Sequence, residues 1–279
     1  MKNIKNFFKL ICIALLTAVI SFIGLFYISM DGNPITKIQT KISAKKYIEK
    51  YYPDCYVKNV GYNFKTDDYF AFIKKSGSMD TSFYLYADES GEITSDSYVT
   101  DVKNGYNTRT RIQTEYNSQL EAALSRDNVD FAVHILSGAY TDSSYIELQD
   151  DKNIVHGIPD EEIVVDKVYN HKNLSYKYGK VILYVIDEDV SIERTCEILL
   201  DVKEKLAEND LGFYAIDFVL WEPINEDNTW NNERKQININ TFMYTDIYED
   251  GLSERVQTAH EQLTEYYRQQ DAALAGLTN

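Results

Sequence analysis

Asp217 is the residue of this chain whose position most invites chemistry. It interrupts Phe213, Ala215, Val219 and Trp221 on one face of a stretch whose other face is Tyr214, Ile216, Phe218 and Leu220. Such alternation predicts a strand, and a carboxylate within it faces either a cleft or water. In a cleft it must be paired or hydrogen-bonded, and left unpaired its pKa would rise. Asn238 and Asn240 alternate along the next predicted strand and fall on the same face. Asp217, Asn238 and Asn240 together therefore outline a small polar binding pocket. The alternative is an open sheet face with Asp217 in water.

The remaining candidates do not assemble into a motif. His134, His156, His171 and His260 are not spaced as H-x-x-x-H and accompany no Cys-x-x-Cys, so they do not point to zinc. No G-x-S-x-G, G-x-x-x-x-G-K or G-x-G-x-x-G occurs, which removes the usual signatures of a serine nucleophile or a phosphate cradle. The loop Asn225-Glu226-Asp227-Asn228-Thr229-Trp230-Asn231-Asn232-Glu233 is rich in oxygen ligands but lacks the glycine of an EF-hand turn. Asp187-Glu188-Asp189 complements the dipole of the helix that follows it. Cys196 belongs to a helical apolar row with Ile192, Leu199, Val202 and Leu206, and Cys55 follows Tyr51-Tyr52-Pro53. A bridge between these two stays open, and neither has the cationic setting of a reactive thiolate. No cofactor and no metal are expected.

The element that would position everything else is Leu10–Ile28, nineteen residues without a charge, preceded by Lys2, Lys5 and Lys9. As a helix it would span roughly 28 Å, about the hydrocarbon thickness of a bilayer. Its exit, Phe26-Tyr27-Ile28-Ser29-Met30, lacks the small-residue pair of a cleaved signal peptide. A retained single-pass anchor with the lysines cytoplasmic and residues 30–279 extracytoplasmic is the expected topology. The first 29 residues hold three lysines and no acid, which leaves the formal total of −16 at −19 for the remainder. A body so acidic repels nucleic acid, whose binding needs cations against phosphates.

Beyond the anchor, apolar residues recur at Ile35, Ile38, Ile42, Tyr47, Ile48 and Tyr51. Their spacing predicts a helix that packs this row on a sheet, with Pro53 as its stop. Four aromatic and β-branched segments follow, Tyr56 to Phe64, Tyr69 to Lys74, Ser82 to Ala87 and Ile93 to Val99, separated by turn residues. They predict an antiparallel meander, closed by a helix from Tyr106 to Arg126. Asp127 to Lys152 is hard to read; Phe131 to Tyr140 fits either helix or strand, and a domain boundary is expected near residue 128. Next come a strand over Tyr178 to Ile186, a helix over Ser191 to Glu208 and a strand over Phe213 to Trp221, the pattern of a parallel pair with a crossover. A strand over Gln236 to Tyr244, antiparallel to the last, and a helix over Leu252 to Leu274 complete the chain. The expected fold class is α+β: an N-terminal transmembrane helix (1–29), a helix with an antiparallel meander (30–127), then an α/β sandwich with helices on one side of a mixed sheet (128–279).

The segments Ala44-Lys45-Lys46-Tyr47-Ile48-Glu49-Lys50-Tyr51-Tyr52-Pro53, Val60-Gly61-Tyr62-Asn63-Phe64 and Asp88-Glu89-Ser90-Gly91-Glu92-Ile93 resemble membrane-anchored proteins of Gram-positive bacteria of the YfjL-like group. The resemblance continues through Phe213–Leu220 and Tyr244–Tyr248. It implies location at the membrane and carries no activity. The order helix then meander is also similar to the small domains that precede secreted peptidases, though no peptidase zinc motif follows. The expected function is that of a non-enzymatic envelope protein binding a partner protein, a peptide or a wall polymer. The alternatives are an envelope hydrolase using Asp217 and the loop acids, and a propeptide-like regulator of a peptidase.

Overall fold

The computed structural model describes residues 15–19, 22, 24, 26, 29–124, 132–135, 138–139, 158–223 and 235–277. Most of the apolar stretch Leu10–Ile28 lies outside them. The residues described within it are helical, with Leu15, Leu16, Val19, Phe22 and Phe26 exposed. Among the described residues no helix is long and apolar enough to cross a membrane. The chain divides into two compact units, residues 1–108 with 164–166 and residues 109–163 with 167–279. Sequence patterning placed the division near 128, after the second long helix.

In the first unit, helix α1 (Pro34–Tyr51) starts where Asn33 Oδ1 accepts the Ile35 N–H at 2.9 Å, with Pro34 at its first position. Strands β1 (Cys55–Asn63), β2 (Asp68–Lys75), β3 (Ser82–Ala87) and β4 (Ile93–Asp96) form an antiparallel sheet in sequential order, as the alternation predicts. Ala71, Ile73, Phe83 and Leu85 point inward and pack with Ala44, Ile48 and Val102. The helix face, however, departs from expectation. The buried row is Thr36, Thr40, Ala44 and Ile48, whereas Ile35, Ile38, Ile42 and Tyr51 are exposed. Small residues let the helix axis approach the turns of the sheet, and the two threonines satisfy their hydroxyls locally. Thr40 Oγ1 donates to Thr36 O at 2.9 Å, and Thr36 Oγ1 donates to Glu89 O at 3.1 Å.

Two polar clusters hold this unit. Asp80, 1% exposed, accepts from Thr108 Oγ1 at 2.9 Å and from the Asp166 N–H at 2.8 Å. Asp166 returns the bond, its Oδ1 accepting from the N–H groups of Met79 and Asp80. Each aspartate thus satisfies backbone donors of the other's segment. In the second cluster the hydroxyls of Tyr47 and Tyr52 both donate to Asp96 Oδ2, at 2.8 and 3.1 Å.

Burial first, then the bond to Asp96 and its charge, push Tyr47 up to about 12 from its ordinary 10.0. Burial, then the charge of Asp96 and the bond to it, raise Tyr52 as well. A folded pKa above the unfolded one means that this stabilisation is complete below pH 10.0 and is lost as pH rises through about 12. Stability of the chain is therefore expected to fall across that alkaline window. Phenolate absorbance followed against pH checks it: replacing both Tyr47 and Tyr52 by Phe should remove two of the late-ionising tyrosines from the alkaline limb, and an unchanged titration would contradict the assignment.

The second unit is built on a mixed sheet. Strands β5 (Ala132–Ile135) and β6 (Gly138–Ala139) both pair antiparallel with β7 (Gly179–Ile186), so the ambiguous stretch contains strands. Helix α2 (Tyr106–Ala123) precedes them and helix α3 (His171–Tyr178), which the patterning does not reveal, follows. β7 runs parallel to β8 (Ala215–Trp221) through helix α4 (Ile192–Glu208), and β8 pairs antiparallel with β9 (Gln236–Met243). Helix α5 (Leu252–Leu277) ends the described chain. Val181, Leu183 and Val185, Ile216, Phe218 and Leu220, and Ile237, Ile239 and Phe242 form the inner face of the sheet. They pack with Ile112, Tyr116 and Leu120 of α2, Ile198, Leu199 and Val202 of α4, and Val256 of α5. The α2 row Ile112, Tyr116, Leu120 and Leu124 is read correctly from the sequence as buried, yet it belongs to this core rather than to the meander. Cys55 and Cys196 are both free thiols.

Candidate functional site

The outer face of the mixed sheet carries the predicted pocket residues. Asp217 is 8% exposed, so it does not stand in water. Lys180, on the adjacent strand β7, places its Nζ 2.7 Å from Asp217 Oδ2 and 3.4 Å from Thr241 Oγ1. The other carboxylate oxygen, Oδ1, accepts the Thr241 N–H at 2.6 Å. The bond exists because β9 is irregular here. Ile216 pairs with Phe242 and Phe218 with Ile239, so Asn240 and Thr241 together oppose Asp217. This is a β-bulge, and Thr241 sits in it at φ 51, a left-handed conformation that a β-branched residue rarely adopts. Asp217, Lys180 and Thr241 thus close a compact polar ring across three strands.

Asn240 stands in the same bulge, half-buried. Asn238 lies opposite Val219, and its Oδ1 is buried without a hydrogen-bond partner among the described residues. The structure therefore puts all three predicted residues on one sheet face, but Asp217 is committed to Lys180 and Thr241. Both carboxylate oxygens are occupied, which suits an internal clasp better than a proton shuttle. Lys180 and Thr241 were missed from the sequence. A lysine at the start of a strand reads as solvent-facing, and no glycine marks the bulge.

Of the histidines, His171 Nε2 lies 2.9 Å from Glu115 Oε2, and His260 Nδ1 lies 3.2 Å from Asn238 N and 3.1 Å from Asn238 O. The oxygen-rich loop 225–233 and His156 lie outside the described residues, and among the described residues no three His, Cys, Asp or Glu side chains converge to hold a metal.

A second surface emerges on the meander. Its alternation leaves Phe70, Phe72, Tyr84 and Tyr86 on the face away from α1. Phe70 is paired across the strands with Tyr86, and Phe72 with Tyr84. Tyr84 is 38% and Tyr86 39% exposed, with Tyr56 at 45% on β1. The rings form a continuous lattice: Tyr84 meets Phe70 edge-on at 5.6 Å, Phe72 at 5.0 Å and Tyr86 stacked at 6.3 Å. Phe70 reaches over Gly61, where an added Cβ would come within 2.4 Å of the ring. Lys58 Nζ sits 6.0 Å above the Phe72 ring. Aromatic rings in contact on one open face, with cationic neighbours, make a rigid apolar platform with low side-chain entropy to lose on docking. The alternation itself was legible; which face stayed open was not.

Two family models match the chain, "YfjL-like, N-terminal domain" over residues 7–97 and "YfjL-like C-terminal domain" over residues 115–257. A crystal structure of a DUF5037 family protein from Ruminococcus gnavus is similar at 14% identity, covering 81% of this chain and 98% of that one with a TM-score of 0.28. No curated protein matches the chain.

Proposed function

The chain belongs to the YfjL-like family, and on that premise we propose that it is a membrane-tethered, non-enzymatic binding protein of the cell envelope whose partner is another protein. The observation that carries this reading is the open lattice of Phe70, Phe72, Tyr84 and Tyr86. Tyr84 and Tyr86 are exposed and Phe70 and Phe72 half-buried, and aromatic rings of this kind in mutual contact are what protein interfaces enrich at their centres, with polar and charged residues at the rim. Lys58 and Lys74 supply such a rim on β1 and β2. The tether is residues 10–28, uncharged and preceded by three lysines, with residues 30–279 on the extracytoplasmic side. Exposed apolar side chains on its described helical residues support that placement. A hydrolase centred on Asp217 is disfavoured by the engagement of both carboxylate oxygens.

A photo-crosslinking residue in place of Tyr84, in the full-length chain in intact cells, is expected to capture a protein of defined mass. Replacing Phe72 and Tyr84 together by Ala should weaken binding of that partner by about 30-fold or more, the scale of an aromatic hot spot, while leaving the fold intact. Capture of glycan alone, or of nothing, would refute the reading. Retained hydrolytic activity of the chain toward envelope peptides or glycans, abolished by Asp217→Asn, would favour the enzyme instead.

A further inference from the structure

Helix α1 shows an outward face that its own unit does not use. Ile35, Ile38 and Ile42 are 66%, 60% and 43% exposed. At about 100° per residue the three fall within an arc of roughly 60°, forming one apolar stripe. Lysines border it. Lys37, Lys41, Lys45, Lys46 and Lys50 all belong to α1, against a single acid, Glu49. Lys41, Lys45 and Lys46 are exposed and form no ion pair among the described residues. This cationic helix stands out in a body that is otherwise strongly acidic.

The stripe starts five residues after Met30, which is itself 45% exposed. The join is built rather than loose. Gly32 turns at φ 78 against the Tyr62 ring, the Asn33 N–H donates to Tyr69 Oη at 2.7 Å, and Lys37 pairs with Asp31 at 2.8 Å. At no more than about 3.6 Å per residue, the start of α1 stays within roughly 22 Å of the end of the apolar segment.

We propose that α1 lies along an anionic lipid surface, with Ile35, Ile38 and Ile42 sunk below the headgroups and Lys41, Lys45 and Lys46 on lipid phosphates. Apolar residues on one side of a helix flanked by lysines are the composition of an interfacial helix, and anionic lipid supplies the complementary charge. The inference rests on the tethered reading above, because the tether brings α1 to the bilayer. It goes further in fixing which face of the first unit meets lipid.

The test uses the full-length chain reconstituted in vesicles of phosphatidylcholine with phosphatidylglycerol, part of either lipid carrying brominated acyl chains. Ile38→Trp adds an indole on the stripe and Met79→Trp adds one at an exposed turn. The emission added at position 38 should shift to shorter wavelength and fall by about two-fold or more with brominated lipid, as for an indole at the acyl boundary. Emission added at position 79 should not change. Charge reversal of Lys41, Lys45 and Lys46 to Glu should abolish the quenching at 38 while the chain still floats with the vesicles. Flotation without quenching at position 38 would overturn this proposal and leave the tether standing. A chain that does not float would overturn both.

Discussion

Asp217→Ala should cost about 3 to 5 kcal/mol of stability, the usual penalty for removing one partner of a largely buried ion pair. The side chains of Lys180 and Asp217 are 13% and 12% exposed, so the ammonium left behind has little water to turn to. Thr241 Oγ1, 3.4 Å from the ammonium, is a weak substitute. The same truncation strips the Thr241 N–H of its acceptor at a residue already held at φ 51. The bulge and the ion pair should fail together. Asp217→Asn keeps an oxygen for the Thr241 amide but turns an NH2 donor toward the Lys180 ammonium, so its cost should be smaller only by the amide bond it retains. Denaturant unfolding of the full-length chain in detergent, with hydrogen exchange read at the Thr241 amide, separates the two. A loss below about 1 kcal/mol for Asp217→Ala, with Thr241 still protected, would place the pair among exposed ones of little worth.

Gly91→Ala should destabilise the first unit by about 3 kcal/mol, from a left-handed backbone penalty of about 1–2 and an overpacking penalty of similar size. Gly91 sits at φ 83, and an added Cβ would lie 2.7 Å from both Thr40 N and Gln39 Cβ and 3.0 Å from Gln39 C. Helix backbone cannot step aside as a side-chain tip can. The methyl would push α1 off the turn that receives the Thr36 hydroxyl. Gly77→Ala is the natural control: its φ is 75, but nothing lies within 4 Å of the added carbon. It carries the backbone penalty alone, so the difference in unfolding free energy between the two variants measures how tightly α1 is seated. Equal losses would show that the contact is soft.

Strands β2, β3 and β7 were legible because period-two alternation survives in them, whereas β5 and β6 lie in a stretch that fits helix or strand equally. Phe83, Leu85 and Ala87 are buried where Tyr84 and Tyr86 are exposed. The parallel crossover from β7 through α4 to β8 followed from element lengths and order. Helix faces were harder. In α1 the isoleucine row and the row of Thr36, Thr40, Ala44 and Ile48 both have helical spacing, and hydrophobicity favours the wrong one. Close approach to the turn at Gly91 selects the smaller side chains, a condition imposed by backbone and not by apolar count. In α2 the buried row was right and its partner was not, because periodicity tells that a face is covered and not by what. At the Asp217 clasp, strand register decides that Lys180 reaches the carboxylate, and a bulge decides that Thr241 does. Neither register nor bulge leaves a mark in composition. Helix α3 escaped for a simpler reason: eight residues, mostly polar, capped by Asn170, present too short a pattern to see.

His260, described above beside Asn238, has a consequence for how the molecule keeps to itself. Among the described residues β9 is the last strand of its sheet, and its backbone on the far side from β8 would ordinarily invite a stranger's strand. A neutral imidazole protonated on Nε2 accepts the Asn238 N–H, and the opposite tautomer donates to the Asn238 carbonyl. Either way the seam is occupied by a ring carried on α5. A strand adding to β9 at Asn238 would first have to evict the histidine.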